Sequence, residues 1–378
     1  MQTTQTSWPL ELEVAHKLAQ MRGWLEQQHA GAIRLRGADW FAWATAGASN
    51  SQCHASDLGC AEVLVTRAAA YILTDEASAP RLRDEEVRGP WVWQVSPWML
   101  PQLAELREHF VQHAAAGSPV LSDRPGLHER SLPVALREER LLLLKSEQLR
   151  YRHVGQLAAG AAAQALRAAR PDWTELELAA CCVHALWLRG LHAVHVLAAG
   201  AERQSRYRRA PSTNVALGPG AVLALCARRH GLCASLSRQR RFVPPSGDGA
   251  RHRHGLQQDD AAILALEAIA LDACETGHAL SMVFHALDSA YAYAGQPDTT
   301  RRCRQGGIHG YLAPEVAAGP HTEIVLRHGM ALAFHPSLPG GTVEDTFLLA
   351  DDQLHNLTHD PAWPSTVVQG RARPLTLV

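Results

Sequence analysis

Arginine is concentrated in one short segment whose chemistry suits the binding of an anion. The segment 206–209, Arg-Tyr-Arg-Arg, carries more positive charge than an exposed loop requires. The planar guanidinium group of arginine presents paired donors that match a carboxylate or a phosphate. The sequence therefore predicts a clamp for an anionic group at Tyr207, Arg208 and Arg209, with an ordinary exposed turn as the alternative. A second basic run, 238–241, is predicted to face solvent.

Histidines and cysteines are the other groups that could do chemistry. His252 and His254 form a His-x-His pair in a Pro/Gly-rich segment at 244–255, which can bind transition metals weakly but is more typical of a surface loop. Cys226 and Cys233 lack a His and an Asn at the spacing of a thiol nucleophile, so a cysteine hydrolase is not indicated. The eight cysteines include no Cys-x-x-Cys pair and are too sparse for a disulfide framework.

The composition argues against several classes of protein. Thirty-six Lys and Arg balance 37 Asp and Glu in 378 residues, whereas bulk binding of nucleic acid or anionic membrane needs a basic face. No apolar run approaches the roughly 20 residues that cross a bilayer. The first residues lack the basic and then apolar pattern of a secretory signal. We therefore expect a soluble, reduced, cytoplasmic protein with no nucleic-acid partner and no membrane partner.

The elements that must position these groups fall into two predicted domains, at 1–132 and 133–378. The first alternates helices with strands, which predicts an α/β domain with a mostly parallel sheet. It has a predicted helix over 10–28 and predicted strands at 31–37, 61–66 and 69–74, the last two joined by a short turn.

The second domain begins with a long helical region, one helix or two in line, which ends at Pro171. Thr174 and Glu177 then form the pattern of a capping box at the start of another helix. A helix pair is predicted at about 258–294, and His192 and His195 are interpreted as strand residues. Strands are predicted at 192–200, 221–227, 231–237, 323–327, 330–335 and 343–350. This order suggests an α+β domain.

Three stretches of the second domain match the motifs of one known family in order. They are 222–238, anchored on Gly231 and Arg238; 305–311, with Glu315 downstream; and 326–336, with Glu344-Asp345-Thr346 beyond it. The stretches resemble the Asp-x-Gly-Ala, Gly-His-Gly-Ile-Gly and Glu-Asp-Thr elements of the creatinase/Xaa-Pro aminopeptidase family, the prolidase-like pita-bread hydrolases. The resemblance covers nearly the whole chain and implies an α/β N-terminal domain followed by an α+β pita-bread domain.

The resemblance also implies which residues once bound metal. Members of the family hold two divalent metals with two Asp, one His and two Glu, and the metals activate a shared hydroxide. The corresponding positions of this sequence are Ala224, Ser235, Gly307, His335 and Glu344. Alanine and glycine offer no ligand atom, and fewer than three good ligands remain. We therefore expect a dismantled dinuclear site with no metal and no other cofactor.

The predicted function follows from this loss. We expect a Xaa-Pro peptidase-like protein that is not a peptidase and that binds a peptide or small molecule in the former active-site cavity. The predicted ligand-binding residues are Tyr207, Arg208, Arg209 and Glu315. The alternative is a metal-independent hydrolase or lyase that uses His335, Glu344 and His309, with a His335–Glu344 hydrogen-bonded pair as general base. A true metallopeptidase with displaced ligands is the third hypothesis.

A homodimer is predicted from tryptophan and from the resemblance. Five of the ten tryptophans lie within the stretch 40–98 of the first domain, more than a small core is expected to bury: Trp40, Trp43, Trp91, Trp93 and Trp98. Tryptophan is enriched at protein interfaces, and two-fold dimers are the commonest oligomers. Family relatives with this N-terminal domain are commonly dimers, so we expect the small domain to contribute to the interface.

Overall fold

The computed structural model describes residues 10–53, 56–242, 249–339 and 341–378, with the backbone alone at 249–258. The chain separates into unit 1, Met1–Arg140 with Leu144–Glu147, and unit 2, Leu141–Leu143 with Gln148–Val378. The boundary thus lies slightly beyond the predicted 132. Within the described ranges, no helix is long and apolar enough to cross a membrane.

Unit 1 consists of one sheet and five helices within the described residues. Its helices are α1 (Leu10–Gln27), α2 (Ala38–Ala44), α3 (Ala79–Arg81, continued by a π-helical turn at Leu82–Glu86), α4 (Leu103–Ala114) and α5 (Val134–Arg140). Its strands are β1 (Ala32–Gly37), β2 (Leu58–Thr66), β3 (Ala70–Asp75), β4 (Val92–Ser96), β5 (Val120–Ser122) and β6 (Glu129–Ser131).

The sheet of unit 1 is mixed, with three parallel and two antiparallel strand pairings. Its strand order is β4-β3-β2-β1-β5-β6, with β1, β2 and β3 antiparallel to their neighbours in that group. The pairs β3–β4, β1–β5 and β5–β6 are parallel. The short turn predicted between 61–66 and 69–74 is present, since only three residues join β2 to β3 and so short a connection permits only antiparallel pairing. The antiparallel pairing of β1 with β2 was not predicted.

The core of unit 1 buries three of the five tryptophans at 40–98. Trp40, Trp43 and Trp91 are 7%, 3% and 8% exposed, whereas Trp98 is 63% exposed. The ammonium group of Lys17 is also buried there and donates to the Trp43 carbonyl oxygen at 2.8 Å. The expectation that this small core could not bury its tryptophans is therefore wrong for three of the five.

Helices of unit 2 agree with the predicted pattern in most places. They are α6 (Lys145–Ala168, whose first residues belong to unit 1), α7 (Glu175–Trp187), α8 (Ala201–Arg206), α9 (Gly249–Asp272), α10 (Leu280–Tyr293) and α11 (Thr299–Arg302). The capping box of α7 is confirmed, since Thr174 and Glu177 exchange side chain to backbone hydrogen bonds. Helix α9 begins inside the predicted loop at 244–255, and the side chains of His252 and His254 lie outside the described residues.

The strands of unit 2 form two antiparallel sheets and two hairpins among the described residues. They are β7 (His192–Gly200), β8 (Gly220–Arg229), β9 (Leu232–Arg241), β10 (Gly306–His309), β11 (Val316–Ala317), β12 (Ala331–Phe334), β13 (Ser337–Leu338), β14 (Gly341–Thr342), β15 (Asp345–Ala350), β16 (Gln353–Asn356), β17 (Ser365–Val368) and β18 (Arg371–Pro374). The sheets have the orders β7-β8-β9 and β11-β10-β12-β15-β16. The strand predicted at 323–327 is not formed, and Val325 makes an isolated bridge to Ala279.

A network of four buried charges joins the elements of unit 2. Asp345 accepts hydrogen bonds from Arg238 Nη2 at 2.8 Å and from Arg373 Nη1 at 2.7 Å, and Arg373 also pairs with Glu267. All four side chains are at most 3% exposed. Burial alone would raise the pKa of Asp345, but the two guanidinium groups outweigh it and hold that pKa below its ordinary value. The expectation that Arg238 faces solvent is wrong.

Asp345→Asn is expected to lower the free energy of unfolding by about 3–5 kcal/mol, because two buried guanidinium groups would then share one carboxylate. The matched control is Asp172→Asn, which removes an exposed carboxylate 3.3 Å from Arg170 and should cost at most about 1 kcal/mol. Urea denaturation followed by circular dichroism measures both losses. Equal losses for the two variants would show that the network contributes little to stability.

Candidate functional site

One pocket of unit 2 contains most of the predicted site residues. The space between its lining residues is about 620 Å³, a figure that includes solvent at the open mouth of the pocket. Its apolar wall is formed by Leu197, Ala199, Val222, Ala224 and Leu338. Its polar side is formed by Tyr207, Arg208, Arg209, Cys303, His335 and Glu344.

The apolar wall is one face of the sheet β7-β8-β9. Leu197 pairs with Ala224, and Ala199 pairs with Val222, in antiparallel register. Directly paired residues project from the same face of a sheet, so these four side chains form one continuous apolar surface. Ala224 stands at the first Asp position of the resembled family, and its methyl group leaves this surface without a carboxylate.

The carboxylate of Glu344 faces a guanidinium group. Arg209 Nη1 lies 3.5 Å from Glu344 Oε2, and Arg209 Nη2 lies 3.0 Å from His195 Nε2. Because a guanidinium group only donates, the His195 Nε2 atom is the acceptor of that bond. The Glu344 side chain is 2% exposed and the Arg209 side chain 30% exposed. A buried negative charge is thus matched by a partly exposed positive charge of the same chain.

Burial governs the protonation of the site. It raises the pKa of Glu344 to about 7, and the attraction of Arg209 offsets that rise only in part. Burial lowers the pKa of His195 to about 4, and the positive charge of Arg209 acts in the same direction. The same two causes lower the pKa of His335 and of His309 to about 3. All three imidazoles are therefore neutral at pH 7, whereas Arg209 is a permanent cation.

The remaining metal positions of the resembled family offer little to a metal ion. Gly307 has no room for a side chain, because a Cβ atom there would lie 2.1 Å from the carbonyl oxygen of Val316. Ser235 is 1% exposed, and the Thr346 hydroxyl bonds both its backbone N–H and its carbonyl oxygen, at 2.9 and 2.8 Å. Of the five positions, only His335 and Glu344 have side chains with good metal-ligand atoms.

These residues do not fit a dinuclear metal centre. A single catalytic zinc normally takes three protein ligands, and two metals need more. Among the residues that the structure describes, no group of three or more His, Cys, Asp or Glu is placed to hold a metal ion. The guanidinium group of Arg209 would also repel a dication bound to Glu344, since both would compete for one carboxylate.

The predicted site residues are only partly brought together. Glu315 does not line the pocket; its Oε1 atom accepts hydrogen bonds from the backbone N–H groups of Tyr311 and Leu312 at 2.8 and 3.2 Å. The expected His335–Glu344 hydrogen bond is not formed among the described residues. The Glu344 carboxylate instead contacts the guanidinium group of Arg209. The predicted general-base pair is therefore wrong in its geometry.

His309 is also placed apart from the pocket lining. It lies in β10, is 4% exposed, and its Nδ1 atom has no hydrogen-bond partner in the part of the chain that the structure describes. Its pKa is lowered by burial and by the charges of Arg209 and His195, so these groups are electrostatic neighbours.

His195 is the site residue that the sequence analysis missed. It was interpreted only as a strand residue, and β7 does contain it. Alternate residues of a strand share one face, so His195 projects from the face that bears Leu197 and Ala199. The alternation of 195, 197 and 199 was the available signal, but it required knowing which face of β7 lines the pocket.

Known proteins similar to this chain are found by comparison of structures rather than of sequences. No protein-family model and no curated protein sequence matches it. A Xaa-Pro dipeptidase from Bacillus anthracis is similar with a TM-score of 0.73 at 14% identity, over 97% of this chain and 100% of that one. Dipeptidase PepE from Mycobacterium ulcerans is similar with a TM-score of 0.72 at 17% identity, over 97% and 98% of the two chains.

A third similar structure is described differently. The N-terminal domain of FACT complex subunit SPT16 from chickpea, Cicer arietinum, has a TM-score of 0.67 at 12% identity, over 92% of this chain and 96% of that domain. At such identities the likeness shows the fold. The chain has the fold of the prolidases and Xaa-Pro dipeptidases, an N-terminal α/β domain followed by a pita-bread domain, as predicted.

Proposed function

We propose that this chain is a Xaa-Pro peptidase-like protein that does not hydrolyse peptides, and that its pocket binds a peptide or small molecule with an anionic group. The observation that carries the proposal is the contact of Arg209 with Glu344 at 3.5 Å. In the metal enzymes that the sequence resembles, metal ions neutralise the carboxylates of the site. Here the guanidinium group of Arg209 supplies positive charge to the surviving carboxylate.

The surroundings of that contact support binding rather than hydrolysis. Arg208 and Tyr207 line the pocket beside Arg209 and can reach an anionic group of a ligand. The apolar wall offers a surface of the kind that accepts an apolar side chain. Hydrolysis of a peptide bond needs an activated water, and His335, with a pKa of about 3, is too weak a base at neutral pH to provide it.

The fold of the chain is compatible with either outcome. One of its structural neighbours is described as a domain of a complex subunit and others as dipeptidases. Function therefore has to be argued from the site rather than from the fold. In this site Ala224, Gly307 and His335 stand where the resembled metal enzymes have Asp, His and Glu, which supports the same proposal.

The second candidate function, a metal-independent hydrolase or lyase, is favoured by one observation. Burial raises the pKa of Glu344 to about 7, which is near the optimum for a general acid or base at neutral pH. Its contact with Arg209 opposes this role, because the guanidinium group favours the charged form of the carboxylate and restrains its position. The two candidate functions differ in whether Glu344 acts as a general acid or base on a bound substrate or only contributes to binding.

No Xaa-Pro dipeptidase activity is expected, with or without added manganese or cobalt, because the ligands for a bridging hydroxide are absent from Ala224 and Gly307. Hydrolysis of Leu-Pro, followed by release of free proline, measures this. Turnover of about 1–1,000 per second that chelators abolish would contradict the proposal. Turnover that chelators spare and Glu344→Gln abolishes would establish the second candidate instead.

We also propose that two copies of the chain associate. The proposal now rests on fewer tryptophans than the sequence suggested, because Trp40, Trp43 and Trp91 are buried. Trp98 and its neighbour Met99 are 63% and 66% exposed and offer an apolar contact surface on unit 1. Light scattering should give a mass near twice 41.2 kDa, and Trp98→Ser should shift it toward one chain. Trp187→Ser, which replaces a tryptophan that is 52% exposed in unit 2, is the control. A monomer for the unaltered chain would contradict the proposal.

A cytoplasmic location belongs to the same proposal. All eight cysteines are free thiols in the structure, which suits a reducing compartment.

A further inference from the structure

The positive charges of the pocket differ in how far they are already used. The Arg209 guanidinium group contacts both Glu344 and His195. Arg208 lines the same pocket, and its guanidinium group makes no hydrogen bond or ion pair within the described ranges of the chain. Its charge acts on the neighbouring Tyr291, since it opposes the rise that burial causes in the pKa of that residue, and the Tyr291 hydroxyl accepts a hydrogen bond from the backbone N–H of Ser337 in the pocket lining. Arg208 is therefore the guanidinium group available to a ligand.

The negative charges of the pocket are already matched. Glu344 is the one acidic residue among the described residues that line it, and Arg209 is its partner. A ligand with a free ammonium group would bring a further positive charge to a lining that holds two guanidinium groups and one carboxylate. Such a ligand would lose its water without gaining an anionic partner.

We propose that the pocket selects a short carboxylate without an ammonium group, such as an N-blocked amino acid. Its carboxylate is bound by the Arg208 guanidinium group, whose paired donors match two carboxylate oxygens. Its apolar part packs against Leu197 and Val222 on the wall of β7 and β8. This inference rests on the proposed function and narrows it, since free dipeptides carry the ammonium group that the pocket disfavours.

Four probes that share a leucine side chain separate the charges. N-acetyl-leucine is an anion, N-acetyl-leucinamide is neutral, leucine carries both charges, and leucinamide is a cation. In isothermal titration calorimetry of the full chain, N-acetyl-leucine should bind about tenfold or more tightly than each of the other three probes. Alkylation of Cys303, whose thiol lines the pocket, should be slowed by N-acetyl-leucine and provides a second measurement.

Two arginine variants assign the contact. Arg208→Gln should weaken the binding of N-acetyl-leucine by about ten- to a hundredfold. It should leave the binding of N-acetyl-leucinamide unchanged, because that neutral probe has no carboxylate for Arg208 to contact. Arg206→Gln is the matched control: Arg206 belongs to the same basic segment, pairs with Glu202 at 2.7 Å and does not line the pocket. The control should bind N-acetyl-leucine as the unaltered chain does.

The possible failures are distinguishable. If leucine or Leu-Pro binds as tightly as N-acetyl-leucine, the selection against an ammonium group is wrong while the pocket remains a ligand site. If Arg208→Gln and Arg206→Gln weaken N-acetyl-leucine equally, the assignment of the carboxylate to Arg208 is wrong. If no probe binds and none slows the alkylation of Cys303, this inference and the proposed function are both overturned.

Discussion

The buried network of Arg238, Asp345, Arg373 and Glu267 is the constraint on which the geometry of unit 2 depends. It joins β9, β15, β18 and α9 through four side chains that are almost wholly removed from water. Such a network is costly to break, because removing one partner leaves an uncompensated charge in a medium of low dielectric constant. Glu344 directly precedes Asp345, so fixing Asp345 in the network also fixes the backbone that presents Glu344 to the pocket.

In this arrangement the backbone beside the pocket is held by charges of the chain itself. The network lies outside the pocket lining and satisfies its own charges, so its stability does not require an ion in the pocket. The one carboxylate that does face the pocket, Glu344, has Arg209 as its counter-ion at 3.5 Å. The same desolvation that raises the pKa of Glu344 keeps His195 and His335 neutral, so the pocket holds few charges and each has a defined partner or an exposed position.

Much of this fold could be predicted from the sequence because local signals were strong. The capping box of Thr174 and Glu177 marked the start of α7, and the apolar runs located β7, β8 and β9 within a few residues. In unit 1 the short turn between β2 and β3 was predicted, but the antiparallel pairing of β1 with β2 was not, because alternation within a strand does not show the direction of its neighbour. Burial of Trp40, Trp43 and Trp91 was missed because composition does not show which aromatic residues meet in one core.

The site was harder to predict for a related reason. Residue types at motif positions showed that Ala224 and Gly307 stand where the resembled family has metal ligands, and the sequence also pointed to the basic segment that contains Arg209. They could not show that Arg209 would face Glu344, a residue 135 positions away, or that His195 would accept its second hydrogen bond. Likewise Glu315 had the right charge for a ligand contact, yet its carboxylate is used by the turn at Tyr311 and Leu312. Long-range contacts of this kind follow from the packing of whole strands rather than from local pattern.

The central claim is that the Arg209 guanidinium group takes the place of metal ions as the counter-charge of Glu344. Anomalous diffraction from a crystal soaked in manganese tests it most directly. The account predicts no anomalous peak in the pocket and an Arg209 Nη1 to Glu344 Oε2 distance that stays near 3.5 Å. A peak bonded to Glu344 and His335, with Arg209 turned away from the carboxylate, would contradict it.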